Sequence, residues 1–149
     1  MESLLQSLYL NFLREVFMEI KKLIELALDA KEKMTYTPYS KFNVGCAVEM
    51  EDGSVYQGGN IEIVSYSPTI CAERVAIFKA VSEGHREIKK IVITGDNKDT
   101  FPCGVCRQVI REFSKDPEII IANSTEDYRK FTLEEILPHS FGPEELNNV

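Results

Sequence analysis

Apolar residues recur three or four apart through Leu5, Leu8, Phe12, Val16, Ile20, Leu23 and Ala27, which is one face of a long amphipathic helix. Pro38 cannot continue such a helix, so Tyr36 to Ser40 reads as the turn after it. The period then drops to two. Phe42, Val44, Cys46 and Val48 alternate as on a strand, Glu51-Asp52-Gly53 is a hairpin signal, and Val55-Tyr56 starts the return. Gly58 and Gly59 are expected to distort that return strand as it runs towards Asn60-Ile61-Glu62.

Cys71 to Val81 predicts a helix apolar on most sides, with Val75, Ile77, Phe78 and Val81 beside Ala72, Ala76 and Ala80 four apart. An alanine stripe lets a helix approach a sheet closely, which places this one in the core, and Gly84 ends it. Ile91 to Ile93 is a short buried strand, Gly95 to Thr100 a polar loop, and Pro102 suits the first position of a helix reaching Phe113. Ile119 to Ile121 and Tyr128 to Phe131 read as two more strands, followed by a short helix at Leu133 to Leu137 that Pro138 stops. Strands alternating with helices, the first two strands paired as a hairpin, predict an α/β fold: a three-layer α/β/α sandwich around a mixed five-stranded sheet.

Bulk composition narrows the function. With 149 residues, 44% of them hydrophobic, the chain is expected to form a single domain over 1–149 with an ordinary core. A net charge of −7 and no local run of basic residues argue against nucleic acid as a partner. Leu4, Leu5, Leu8, Leu10, Phe12 and Leu13 superficially resemble a signal core. However, Glu2 stands where a basic leader would be, and Arg14 and Glu15 interrupt the run, so neither a signal peptide nor a membrane span is expected. The expected location is therefore the cytoplasm, where four cysteines favour reduced thiols and metal chemistry over disulfides.

Three of those cysteines lie in two short segments, Cys71-Ala72-Glu73-Arg74 and Pro102-Cys103-Gly104-Val105-Cys106. Residues three apart on a helix are separated by about 60°, so Cys103 and Cys106 can present both sulfurs on one face, a recurring half of a zinc site. Cys71 opens the other helix and can face the same point. The partial positive charge of a helix start lowers thiol pKa and helps all three ionise. Three thiolates on Zn²⁺ sum to a charge of −1, which would weaken the metal's pull on water, and Arg74 is placed to offset it. Glu73, at a helix start, can direct a carboxylate over the cap towards the metal's open position and move protons there. The competing reading is a structural zinc site, which normally has four protein ligands; Cys46, His85 or His139 would then supply the fourth. Cys46, in an apolar strand, reads as a core residue, and the two histidines as exposed. Glu73 and Arg74 taken singly are also compatible with ordinary solvated helix charges.

The combination of Cys71-Ala72-Glu73-Arg74 with Pro102-Cys103-Gly104-Val105-Cys106-Arg107-Gln108 strongly resembles the signature of the small zinc-dependent cytidine deaminases of nucleoside salvage, in their all-cysteine branch. The likeness runs from about Lys21 to Phe141 and includes Tyr39-Ser40-Lys41-Phe42-Asn43-Val44-Gly45 and Asn60-Ile61-Glu62. The resemblance implies one Zn²⁺ per chain on Cys71, Cys103 and Cys106, and hydrolytic deamination at C4 of the cytosine ring of cytidine and deoxycytidine. Glu73 would carry protons to N3 and to the leaving amine. It further implies Phe42 and Ala72 against the pyrimidine, Asn60 and Glu62 on the ribose 3′-hydroxyl, and Arg74 and Gln108 balancing charge behind the sulfurs. Members of this type are homotetramers, and Tyr66 and Phe141 match positions that a neighbouring subunit contributes.

Two departures stand out. Ile63 occupies a position where the family commonly has Asn, which bears on substrate range and keeps open a related aminohydrolase acting on another cytosine compound of the blasticidin S type. Residues 1–18 have no counterpart in the usual short members, whereas Met18-Glu19-Ile20-Lys21-Lys22 resembles a normal start. Either an upstream start was assigned in error or a helical extension precedes a catalytic domain over 21–141. Intact mass from the native source separates the two.

Overall fold

The structure is a computed structural model that describes residues 2–146. A helix α1 (Glu2–Lys33) leads into a hairpin of β1 (Val44–Met50) and β2 (Val55–Gly59), then α2 (Ala72–Ser82) and β3 (Ile88–Gly95). The chain continues through α3 (Gly104–Glu112), β4 (Glu118–Ala122), β5 (Tyr128–Phe131) and α4 (Leu133–Ile136) to a single 3₁₀ turn at Pro143–Glu145. The five strands form one sheet in the order β2-β1-β3-β4-β5. β3 and β4 are parallel, joined by the α3 crossover, and every other pair is antiparallel, so the sheet is mixed as expected.

The period-two pattern sorts the core into two layers. Cys46, Val48, Ile91, Ile93, Ile119 and Ile121 face Ala72, Ala76, Ile77, Ala80 and Ile110 of α2 and α3. Ala47, Val92, Ile120 and Ala122 point the other way, onto Ile20, Leu23, Ile24 and Ala27 of α1. Cys46 is fully buried, and its thiol is pushed well up by that burial, as suits a core residue. Among the described residues no helix is long and apolar enough to cross a membrane.

Several expectations need correction. Gly58 and Gly59 do not distort β2: they pair in register with Cys46 and Gly45. Their small size serves helix approach instead, because a Cβ on Gly58 would meet Ala72 O at 2.5 Å and Ala76 N at 2.6 Å. Pro102 is not the first helical residue. Cys103, with φ −66° and ψ 166°, is the extended N-cap and the helix starts at Gly104. β3 is longer than the three-residue apolar run because antiparallel pairing with β1 extends it at both ends. Phe78 is 42% exposed, since the alanine stripe rather than the aromatic faces the sheet. His85 is half-buried, with Nδ1 3.3 Å from Asp52 Oδ2. In α1 the stripe is buried only from Ile20 onwards. Leu5, Leu8 and Phe12 are exposed because this part of the helix has no sheet beneath it, and the Val16 side chain lies outside the described residues.

Candidate metal and nucleoside site

Cys71 and Cys103 occupy equivalent places, the extended N-caps of α2 and α3, and Cys106 lies in the first turn of α3. Neither N-cap cysteine spends its side chain on capping, so both sulfurs remain free to converge. Cys71 Sγ and Cys103 Sγ are 3.7 Å apart, and the ligand atoms of all three cysteines lie within 4.8 Å of one another. Among the described residues no His, Cys, Asp or Glu joins them as a fourth ligand, so Cys46, His85 and His139 are not part of the cluster. Three soft thiolates with a position left over match a zinc site of the open, catalytic kind.

Arg74 reaches back one turn of α2 and donates from Nη2 to Cys71 Sγ at 3.4 Å. The Cys71 thiol is lowered to about 5, because Cys106, Arg74 and Cys103 hydrogen-bond to its thiolate and outweigh burial. Cys106 is pushed up by the reciprocal bond to Cys71, then by burial and by Glu73.

Glu73 is 3% exposed, and its Oε2 has no hydrogen-bond partner. Burial raises this carboxyl to about 7, with the negative Cys71 adding to the effect. An orphaned buried carboxylate oxygen beside three sulfurs fits a water or substrate position at the metal far better than it fits a solvated helix charge. Ala72, fully buried, completes the start of α2.

A second group forms around the loop between α1 and β1. Ile61 makes bridges to both Tyr36 and Ile70, so the chain runs extended through Asn60-Ile61-Glu62 and enters Cys71 directly after the second bridge. Alternate residues on extended backbone share a side, so Asn60 and Glu62 both reach the loop. Asn60 accepts from Val44 N and donates to Phe42 O, each at 2.9 Å, bracketing Asn43, the residue after Phe42. Glu62 Oε1 accepts from Tyr39 N and Ser40 N, both at 3.1 Å. Burial pulls the Glu62 carboxyl up, but the bonds from Ser40 and Tyr39 prevail and hold it below the usual carboxylate range. Phe42 itself is half-buried.

Three candidates stand apart from these groups. Gln108 donates from Nε2 to Phe141 O at 2.9 Å, tying α3 to the C-terminal segment, and makes no bond to a cysteine sulfur. Tyr66 and Phe141 are 69% and 59% exposed, and the Tyr66 ring meets Tyr39 edge-on at 5.8 Å. Sequence reading passed over Asp96, which accepts a hydrogen bond from Asn43 N, because its partner is far along the chain. The one available signal was an acidic residue at the exit of an apolar strand, followed by a polar loop.

With this geometry in view, comparisons with known proteins are informative. The family model described as the cytidine and deoxycytidylate deaminase zinc-binding region matches residues 18–123. A cytidine deaminase of Halalkalibacterium halodurans is 44% identical over 133 residues, which is 88% of this chain and 100% of that one. One from Sporosarcina psychrophila is 44% identical over 132 residues, 87% of this chain and 96% of its own. The crystal structure of a cytidine deaminase from Burkholderia pseudomallei matches with a TM-score of 0.76 at 40% identity, covering 80% of this chain and 97% of that one. A Mycobacterium tuberculosis cytidine deaminase gives 0.69 at 34% identity, over 81% and 95%.

Proposed function

Because the chain belongs to the cytidine and deoxycytidylate deaminase family of zinc proteins, we propose that it hydrolyses free cytidine and deoxycytidine to uridine and deoxyuridine with release of ammonia, in pyrimidine salvage in the cytoplasm. The observation that carries this reading is Glu73: a buried carboxyl with an unpartnered oxygen, next to a three-cysteine cluster that has no fourth protein ligand among the described residues.

Cys71, Cys103 and Cys106 would hold one Zn²⁺, which would supply a coordinated water far more acidic than bulk water. Arg74 offsets the net charge of the three thiolates. Glu73, buried beside the cluster with an unpartnered oxygen, is placed to carry protons to the ring nitrogen and then to the departing amine. Its low exposure keeps bulk water from short-circuiting that transfer.

Phe42 and Ala72 would contact the pyrimidine, while Asn60 and Glu62 would hold the ribose 3′-hydroxyl. Their bonds to the loop do not preclude this. A carboxylate has about four acceptor sites and an amide NH₂ two donors, so each retains capacity. A carboxylate at the 3′-hydroxyl repels a phosphate there, so nucleosides are favoured over nucleotides and polynucleotides.

The catalytic unit would span 21–141 within a single domain, preceded by the first part of α1 (Glu2–Lys33). Tyr66 and Phe141 would complete a neighbour's site in a homotetramer; their exposure supports that role. Gln108, bonded to Phe141 O, would act through the C-terminal segment rather than on the sulfurs.

The test is the ultraviolet absorbance of cytidine, deoxycytidine and blasticidin S over time with zinc-loaded protein. Loss of the cytosine band with ammonia release, fastest for the two nucleosides, is expected. Faster turnover of blasticidin S would shift the assignment to the related aminohydrolases, with Ile63 the first residue to exchange. Zinc bound without any turnover would favour a structural metal.

A further inference from the structure

The loop carrying Phe42 is held from two sides. On one side stand Asn60 and Glu62. On the other, Asp96, the first residue after β3, accepts from Asn43 N through Oδ2 at 2.7 Å, and its own N–H donates to Asn43 O at 3.1 Å. This two-bond exchange fastens both backbone polar groups of Asn43. Lys31 Nζ, near the end of α1, lies 3.6 Å from Asp96 Oδ1, and Thr37 Oγ1 donates to Asn43 Oδ1 at 2.5 Å within the loop. Asp96 therefore ties the loop to the end of a central strand, and nothing in that linkage passes through Asn60 or Glu62.

We infer that Asp96 is a positioning residue for Phe42, acting through Asn43 so that the loop keeps its shape when Asn60 and Glu62 engage the ribose. This rests on the proposed nucleoside reading. In this structure Asn60 and Glu62 serve the loop, and a sugar hydroxyl would draw on the same groups. They retain capacity for both, but a loop anchored through them alone would take its shape from the ligand-binding groups, whereas the Asp96 bonds hold it independently of the ligand. The Asp96 bond is to a charged acceptor and is stronger than a neutral one. The Lys31 contact is longer, and the Asp96 side chain is 39% exposed, so the ion pair contributes less than the backbone bond.

The experiment uses the full-length zinc-loaded enzyme with Asp96→Ala, Asp96→Asn and Lys31→Met. It reads cytidine kinetics, zinc content and amide hydrogen exchange at Asn43. For Asp96→Ala, KM is expected to rise about tenfold with kcat within about twofold and zinc unchanged, which corresponds to loss of one charge-assisted bond used for binding. Exchange at Asn43 should quicken by at least as much. Asp96→Asn keeps an acceptor oxygen and should restore most of KM, and Lys31→Met should change it less than threefold. Unchanged KM and exchange in Asp96→Ala would overturn the inference. So would an equal fall in kcat and zinc content, which would mean general damage to the fold. If wild-type protein does not act on cytidine, the nucleoside reading fails by itself, and exchange at Asn43 still decides whether Asp96 holds the loop.

Discussion

Glu73 and Arg74 are adjacent in sequence but do opposite electrostatic work. Glu73 bears the cost of burial without a partner for Oε2, whereas Arg74 places a permanent charge on a ligand sulfur. Replacing Glu73 with Gln should leave zinc bound and reduce turnover by roughly 10²–10⁴-fold or more, the scale of a lost acid–base group. The same change removes a buried ionisable group, so thermal unfolding should not occur at a lower temperature. Retained turnover, measured with zinc content on the same sample, would eliminate the proton-carrier role. Arg74→Gln leaves the thiolates without their nearest cation. Zinc should then pass to a chelator several-fold faster than from wild type, and equal release rates would show that Arg74 does not stabilise the metal site.

At the scale of elements, two helix starts carry the three cysteines able to hold a metal, and the placement of Cys71 depends on how closely α2 lies on β2. Gly58 sets that distance, since a Cβ there would run into the Ala72 and Ala76 backbone. Gly58→Ala should destabilise the fold by about 1–3 kcal/mol, the usual cost of overpacking, and lower zinc occupancy because Cys71 moves with α2. Denaturant midpoints and metal analysis read both effects. The Tyr36–Asn43 loop makes a different prediction. Glu62 is depressed by its bonds to Ser40 and Tyr39, so its contribution to loop order is fully present above the unfolded carboxylate value of about 4.3 and disappears as pH falls through the lower folded value. Hydrogen exchange at Ser40, corrected for its intrinsic pH dependence, should quicken as pH falls below the ordinary carboxylate range in wild type and lack that step in Glu62→Gln. Loop protection that stays constant down to pH 2 would contradict this.

For the whole molecule, α1 and the pair α2 and α3 lie on opposite faces of one sheet, with the three cysteines at the starts of α2 and α3. Zinc would link the starts of α2 and α3, two helices that already share one core layer. Removing it should lower the unfolding temperature by several degrees, since binding to the folded state adds about 4 kcal/mol at a thousandfold excess over Kd. Calorimetry before and after chelation checks this. The first turns of α1 expose Leu4, Leu5, Leu8, Tyr9, Leu10, Phe12 and Leu13, a run that no part of the described single chain covers.

Much of this protein follows from local pattern. Period two and period 3.6 located the helices and strands, because each element buries one face and the burial is written into every second or every third and fourth residue. The metal cluster was legible for a related reason: ligands three apart on a helix start need no knowledge of the rest of the fold to converge, and Cys71 opens a second start of the same kind. What required the tertiary structure was everything set by residues distant in sequence. The burial of Glu73 depends on the packing around the start of α2. Gly58 reads as a strand breaker until α2 is laid across it. The resemblance assigns Asn60 and Glu62 to the ribose, and nothing in the sequence signals that both are also engaged with a loop about twenty residues upstream. Asp96 carried almost no signal, because the backbone groups it fastens lie more than fifty positions away. Desolvation and long-range hydrogen bonds are properties of the assembled chain, so composition and spacing name the groups that can do the chemistry, while packing decides which are held, buried and poised.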